Sequence, residues 1–196
     1  MTGPVDKWNA KYRQAERDGA LPDPQPLPAL TAYASLFPLE GHALDLACGR
    51  AANAEWMAQR GLVASAWDCS DVVIAQVADR FACRGLDVDA QVRDVSAQPP
   101  AAESFDLIVV SHFLDRTLAE PITAALRPGG WLVYQTFSRD HVGSAGPSNP
   151  DFRLKEGELL GLFSRLSPRI FFDLGGRGDG QVGLRDESLL IAQKSS

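Results

Sequence analysis

Three aspartates follow consecutive apolar runs in the first half of the chain, namely Asp45, Asp68 and Asp94. Asp45 lies in Ala43-Leu-Asp-Leu-Ala-Cys-Gly-Arg-Ala-Ala-Asn53, where a short strand passes into a turn of small residues that opens a helix. The carboxyl ends of parallel strands meet at one edge of an open α/β sheet, and ligands bind outside that edge. Carboxylates there accept hydrogen bonds from hydroxyl and amino groups, so the pattern predicts a nucleoside ligand.

Two kinds of nucleoside suit such an edge, and the turn after the first strand distinguishes them. A dinucleotide requires G-x-G-x-x-G there, so that a helix N-terminus can bind the pyrophosphate. This chain has Gly49-Arg-Ala-Ala-Asn-Ala54 instead, and a carboxylate at Asp45 would repel a phosphate. S-adenosylmethionine (SAM) carries no phosphate. We therefore predict SAM, with an NAD-binding oxidoreductase as the weaker alternative.

Each donor group of SAM has a predicted partner. Asp45 accepts from the α-amino group, directly or through water, and Asp68 accepts from both ribose hydroxyls. Asp94 accepts from the adenine amino group while the Val95 amide donates to a ring nitrogen. The other predicted cofactor-binding residues are Ala47, Gly49, Asn53, Cys69 and Ser111. Taken singly, each aspartate is equally well explained as a helix cap or a turn residue.

The chain resembles the class I SAM-dependent methyltransferases over nearly all of residues 41–194. The resemblance is carried by Asp45-Leu-Ala-Cys-Gly49, Asp68, Asp94-Val95, Phe105-Asp-Leu-Ile-Val-Val-Ser111 and Leu126-Arg-Pro-Gly-Gly130. Within that class, Cys48-Gly-Arg with Asn53, Ala66-Trp-Asp68 and Leu154-Lys-Glu-Gly-Glu-Leu159 are similar to the tellurite-resistance type. The resemblance implies a Rossmann-like α/β fold: a mostly parallel, seven-stranded sheet flanked by helices, with a C-terminal antiparallel hairpin. It also implies methyl transfer to a small molecule, with a thiol or a metalloid oxyanion as the candidate acceptor.

One departure concerns the first motif, whose usual form is D-x-G-x-G-x-G. This chain has Ala47 and Ala51 at the outer glycine positions, and alanine disfavours a positive φ. We expect Ala47 to be tolerated because it ends a strand, whereas Ala51 is the more doubtful position. A SAM-binding protein that has lost turnover therefore stays open as an alternative.

Candidates for the chemistry follow the fourth and fifth predicted strands. His112 is the predicted catalytic residue, because an unperturbed imidazole titrates near neutral pH and can accept a proton. The alternative is that His112 only bonds the backbone or the cofactor. His141 lies in a predicted loop and is a weaker candidate, and His42 begins the first strand, at the wrong end. Anionic acceptors would suit arginines, for which the candidates are Arg139, Arg153 and Arg177, although each is equally well a surface residue.

The remaining pattern predicts one domain over residues 1–196. Residues 1–40 hold an amphipathic helix, with Val5, Trp8, Tyr12 and Ala15 on one face, and a proline-rich arm. Trp8 and Tyr12 either lie along the body or cover the ligand. Residues 41–196 form the SAM-binding core, with strands predicted near 42–47, 62–67, 88–92, 105–110, 131–137, 169–174 and 188–193. Helices are predicted near 53–60, after Ser70, 118–126 and 155–163, with a turn at 127–130.

Composition excludes several classes. The chain has 196 residues, of which 45% are hydrophobic and 22% charged, which is typical of a globular domain. It has no apolar run long enough to span a bilayer and no secretory signal, so we expect a cytoplasmic protein without membrane contact. A net charge of −6 argues against nucleic acid. Three cysteines without C-x-x-C spacing predict free thiols and no metal site. A monomer or homodimer acting on a small molecule would be ordinary.

Overall fold

The computed structural model describes residues 3–19 and 22–196. The chain divides into two compact units, Met1–Gln98 and Pro99–Ser196. The assignment of residues 1–196 to one domain stays a prediction. Leu21, the first residue of the predicted proline-rich arm, lies outside the described residues, and residues 22–27 have no regular secondary structure, as alternate prolines dictate.

The first unit is built from three parallel strands with helical connections. Its elements are α1 (Pro4–Arg17), α2 (Pro28–Ala32), β1 (His42–Leu46), α3 (Ala52–Gln59), β2 (Val63–Asp68), α4 (Asp71–Arg84) and β3 (Val88–Val92). The strand order is β3-β2-β1, with His42 opposite Val63 and Ala64 opposite Val88. All three strands therefore end at the same edge, which is the edge that carries the three predicted aspartates.

Helix α4 shows how local sequence sets the bounds of an element. Ser70 caps it, because its hydroxyl accepts a hydrogen bond from the amide of Val73, and the left-handed Gly85 ends it. The apolar residues Val73, Ile74, Val77 and Phe81 recur at helical spacing and are buried. Ala78 shares that spacing but is exposed.

Helix α1 is present, and its predicted apolar face is only partly covered. Val5 and Trp8 are exposed, whereas Tyr12 and Ala15 are half-buried. The side chain of Asn9 is buried. The Asn9 amide donates to Asp71 Oδ1 at 2.6 Å, and its oxygen accepts from the Ser70 hydroxyl at 2.6 Å. The helix therefore docks on the start of α4 through polar contacts, which a hydrophobic pattern does not predict.

The second unit has four strands. Its elements are β4 (Phe105–Ser111), α5 (Ala119–Ala125), β5 (Leu126–Phe137), α6 (Glu158–Leu162), β6 (Ser167–Phe172) and β7 (Glu187–Gln193). The strand order is β4-β5-β7-β6, in which β4 and β5 are parallel and β7 is antiparallel to both of its neighbours. The predicted C-terminal antiparallel pair is confirmed.

Two predicted boundaries in this unit were wrong. The predicted turn at 127–130 belongs to β5, where Leu126 pairs with Phe105 and Trp131 pairs with Leu107. Four residues therefore face the single residue Asp106, and they bulge from the strand. Helix α6 starts three residues later than predicted, because Gly157 takes a left-handed conformation before it.

The described residues contain seven strands of a mixed, mostly parallel sheet with helices packed on them, so the predicted fold class is confirmed. Within residues 3–19 and 22–196, every helix is too short or too polar to cross a membrane.

Candidate functional site

Asp68 joins two loops at the carboxyl edge of the first unit. Its Oδ2 accepts a hydrogen bond from the amide of Gly49 at 3.0 Å, and its Oδ1 accepts from the amide of Ser70 at 2.9 Å. Burial raises the pKa of this carboxyl, although its hydrogen bonds act in the opposite direction. The amide and the thiol of Cys69 also donate to the carboxylate, so the chain itself holds Asp68 in place from several sides.

Asp45 is fully buried and holds the start of α3. Its two oxygens accept from Asn53 Nδ2 at 3.2 Å and from the amide of Ala54 at 3.1 Å. Burial raises the pKa of Asp45 to about 7, against the effect of these bonds. The carboxylate has no exposed surface in this structure, so its predicted contact with an ammonium group, direct or through water, stays a prediction.

The hydrogen bond from the Ala54 amide to Asp45 indicates which nucleoside fits the site. In a dinucleotide site the helix N-terminus binds the pyrophosphate, but here the first turn of α3 already holds the carboxylate of Asp45. A phosphate would have to displace a negative group from its hydrogen bond. The residues present therefore fit a phosphate-free nucleoside that offers hydroxyl and ammonium donors, as SAM does.

The turn between β1 and α3 contains three left-handed residues in alternation. The φ angles of Ala47, Gly49 and Ala51 are 54°, 52° and 53°. Ala47 and Ala51 thus do not differ in the way that we expected, since both occupy the conformation that favours glycine. The left-handed region costs an alanine about 1–2 kcal/mol, so the turn is strained at two positions.

Asp94 follows β3 and begins a tight turn. Its Oδ1 accepts from the amides of Ser96 at 3.0 Å and Ala97 at 3.4 Å. Asp94 is therefore held by the turn that it begins, and its contact with an adenine edge, like that of the Val95 amide, stays a prediction.

Electrostatic coupling shows that these groups are neighbours. The charge of Asp68 raises the pKa values of Asp45, Cys48, Cys69 and Tyr12, in each case after burial as the larger cause. The charge of Asp94 also raises the pKa of Cys69, which reaches about 11. Cys69 is therefore a protonated thiol at neutral pH, placed between two of the three aspartates.

Tyr12 of α1 lies over the glycine turn. A Cβ atom built on Gly49 would come within 3.1 Å of the Tyr12 hydroxyl. The ring of Trp8 stacks on that of Tyr12 at 6.0 Å, and the ammonium group of Lys11 lies 4.4 Å from the Trp8 ring centre. Of the two predicted arrangements, the contact with Gly49 favours the one in which Tyr12 covers the cofactor turn.

A second cluster, within the second unit, surrounds the predicted base. His112 follows β4, and its Nε2 lies 3.0 Å from Oε1 of Glu187 at the start of β7. Gln135 donates to Oε2 of the same carboxylate at 2.7 Å. Sequence reasoning found His112 but missed Gln135 and Glu187, because only the register of β5 and β7 brings these distant residues together.

The other candidates already have protein partners. Arg153 is buried and donates to the carbonyls of Pro147, Ser138 and Ala145, so it organises the loop after β5. Arg139 donates to the carbonyl of Pro150, and Arg177 pairs with Glu156 at 2.8 Å. Exposed arginines can exchange partners at little cost, but the buried Arg153 cannot serve an acceptor without unfolding its loop.

A model of the methyltransferase domain matches residues 43–130, from β1 into β5. The matched stretch is somewhat less than half of the chain, and it includes Asp45, Asp68 and Asp94. Over this stretch the chain is similar to the methyltransferase domain. Within residues 3–19 and 22–196, no three metal-ligating side chains gather into a site.

The curated relatives are distant in sequence. The chain is 25% identical over 104 residues to the ubiquinone biosynthesis O-methyltransferase of Coxiella burnetii. The aligned stretch covers 50% of this chain and 44% of that relative. The chain thus matches less than half the length of the curated relatives.

Solved structures show the same fold over nearly the whole chain. One, described for the conversion of a disulfide bond into a thioacetal group during echinomycin biosynthesis, has a TM-score of 0.75 and 21% identity. That likeness covers 98% of this chain and 93% of the other. TehB from Haemophilus influenzae has a TM-score of 0.68 and 14% identity, over 96% and 67% of the two chains.

Proposed function

We propose that this protein transfers the methyl group of SAM to a small-molecule acceptor. SAM supplies an activated methyl group on a sulfonium, so the chain has to align the acceptor, exclude water and accept a proton where the acceptor has one to lose. The observation that carries the proposal is the carboxylate of Asp68, which the amides of Gly49 and Ser70 fix at the end of β2, beside the turn between β1 and α3.

The predicted cofactor residues take distinct parts in this proposal. Asp68 accepts from the ribose hydroxyls, and Asp94 with Val95 meets the adenine edge. Asp45 acts through water on the amino acid end, and Asn53 holds Asp45 while accepting from the amide of Leu27 at 2.9 Å. The other predicted cofactor-binding residues of the first unit are Ala47, Gly49 and Cys69. Ser111, which ends β4, stays a prediction.

Tyr12 gives the proposal a cover for the cofactor. Its hydroxyl lies over Gly49, and α1 is fixed to α4 by the two hydrogen bonds of Asn9. We expect Tyr12 to exclude water from the turn when SAM is bound.

The acceptor is the finer part of the proposal. The resemblance to the tellurite-resistance type suggests a thiol or a metalloid oxyanion, whereas the relative from Coxiella burnetii is named as an O-methyltransferase. A small acceptor also agrees with the acidic net charge of −6, which disfavours nucleic acid.

Calorimetry followed by an acceptor panel tests this function. We expect SAM and S-adenosylhomocysteine to bind in the micromolar range and NAD not to bind. Methyl release is then measured with small thiols, metalloid oxyanions, hydroxyl compounds and amines. Binding of NAD in place of SAM would refute the proposal. Binding of SAM without transfer to any acceptor would favour the alternative, a SAM-binding protein without turnover.

A further inference from the structure

We propose that Glu187 is a positioning residue that fixes His112 as the general base, and that the acceptor is a hydroxyl compound. The inference rests on the proposed function and names the acceptor class of the same reaction. It derives from the cluster of His112, Glu187 and Gln135, which lies wholly within the second unit.

The cluster is built by strand register. Ser111, the residue before His112, is opposite Gln135, and Phe137 is opposite Glu187. The end of β4 and the start of β7 therefore meet on either side of the end of β5. The Glu187 side chain is 15% exposed, whereas that of His112 is 48% exposed, so the imidazole is open to a ligand and its partner is not.

The hydrogen bonds determine which imidazole nitrogen carries the proton. Burial alone would raise the pKa of Glu187, but the bonds from His112 and Gln135 and the charge of His112 hold it below its usual value. An ionised carboxylate only accepts hydrogen bonds, so Nε2 of His112 must donate. In the neutral imidazole, Nδ1 then has a free lone pair, and no group in the described part of the chain donates to it.

The backbone holds this arrangement under strain. His112 has a φ of 54°, which is uncommon for any residue except glycine, and its amide donates to the carbonyl of Gln135 at 2.9 Å. Gln135 thus fixes the backbone of His112 with its main chain and the carboxylate of Glu187 with its side chain. The Phe137 ring lies 5.1 Å from the imidazole and limits its rotation. Strained residues of this kind cluster at functional sites.

The proton balance assigns the part of each group. The acceptor oxygen forms a bond to the methyl carbon, the bond from that carbon to sulfur breaks, and the electron pair stays on sulfur. The hydroxyl proton passes to Nδ1 of His112, and the carboxylate of Glu187 stabilises the imidazolium that results. The products are a methyl ether, the neutral thioether and a protonated base.

This chemistry distinguishes the acceptor classes. A metalloid oxyanion is already charged, and at neutral pH a thiol with a pKa near 8.5 is ionised about 30-fold more than a phenol with a pKa near 10, so both depend less on a base. The phenol is almost wholly protonated and gains most from a base. A largely enclosed carboxylate that orients an exposed imidazole therefore indicates a hydroxyl acceptor.

The experiment compares His112→Gln and Glu187→Gln with the wild type on phenols of graded acidity. Glu156→Gln is the matched control, since Glu156 is an exposed carboxylate paired with Arg177. We expect kcat on weakly acidic phenols to fall by about 10²- to 10⁴-fold in His112→Gln and at least tenfold in Glu187→Gln, with KM little changed. On phenols that are ionised at the assay pH, the losses in both variants should be much smaller, and Glu187→Asp should recover part of the loss.

A spectroscopic readout in the free protein does not depend on activity. With only three histidines in the chain, nitrogen-15 labelling of the imidazoles resolves His112 once His112→Gln identifies its signals. We expect the proton on Nε2 in the wild type and a mixture of tautomers in Glu187→Gln. A proton on Nδ1, or equal losses on ionised and protonated phenols, would overturn the inference.

The remaining outcomes separate this inference from the proposed function. Failure of the wild type to bind SAM refutes the proposed function. Bound SAM with transfer only to thiols or oxyanions refutes the hydroxyl assignment alone. Normal transfer to phenols by Glu187→Gln refutes its part in positioning His112.

Discussion

Asp45 and Glu187 are two enclosed carboxylates whose pKa values move in opposite directions. Asp45, in the first unit, is bonded by the Asn53 amide and the Ala54 backbone, and its pKa rises to about 7. Glu187, in the second, is bonded by His112 and Gln135, and its pKa falls. The two pKa values differ for two reasons. Among the donors, only His112 can carry a full positive charge, which favours an ionised Glu187. Asp45 is completely buried, which favours its protonated form.

The comparison explains why the two clusters suit different tasks. A carboxyl that titrates near neutrality can hold a proton until a cationic ligand arrives, whereas one that stays ionised can orient a base at any physiological pH. On the proposed function, Asp45 would respond to the charge of a ligand, and Glu187 would hold His112 ready to take up a proton.

The largest expected effect is on the pH dependence of stability, measured with Asp45→Asn. The pKa of Asp45 is raised on folding, so its protonated form stabilises the protein below about pH 4, and this contribution is lost as the pH rises towards 7. Between about pH 4 and pH 7, the free energy of unfolding of the wild type should fall, relative to that of the variant, by up to about 1.4 kcal/mol per pH unit. Urea unfolding at several pH values measures the difference, with exposed Asp89→Asn as the control. A difference that does not change with pH would contradict the assignment.

Glu187 should show the opposite sign in the same experiment. Its pKa is lowered on folding, so its contribution is present above the ordinary glutamate pKa and is lost as the pH falls through the folded value. Comparison of Glu187→Gln with the wild type should therefore show a difference that shrinks in acid. A difference that grows in acid would mean that His112 does not stabilise the ionised form.

Asp68→Ala tests the cofactor side of the comparison. Loss of a buried acceptor for two hydroxyls should cost about 1.5–3 kcal/mol of SAM binding, which is about ten- to a hundredfold in Kd. Calorimetry measures it, with Asp68→Asn as the variant that keeps the side-chain volume, and thermal unfolding checks that the turn has formed. Unchanged affinity for SAM in a folded variant would show that the ribose lies elsewhere.

The smallest effect concerns the strained turn. Ala47→Gly should relieve about 1–2 kcal/mol of left-handed strain, less about 0.4–1 kcal/mol for the freer unfolded chain, for a net gain of about 0–1.6 kcal/mol. Ala51→Gly should be nearly neutral, because it also loses a fully buried methyl group worth about 0.8 kcal/mol. Thermal unfolding of the two variants compares them. A larger gain at Ala51 would reverse the expected order.

The sequence predicted most of the elements because they depend on local patterns. The strands that end near Asp45, Asp68 and Asp94, the Ser70 cap and the Gly85 terminus all follow from residues within a few positions of one another. The docking of α1 through Asn9 was not predictable, since polar contacts leave no periodic signal. Neither was the partner of His112, because 75 residues separate it from Glu187 and only strand order unites them.

The position of Glu187 at the start of β7 also has a consequence for biosynthesis. During translation His112 leaves the ribosome before Glu187, because 75 residues separate the two. A nascent chain that stops short of residue 187 therefore has the imidazole without the carboxylate that accepts its hydrogen bond. On the proposed function, the orientation of the base is among the last features that the growing polypeptide gains.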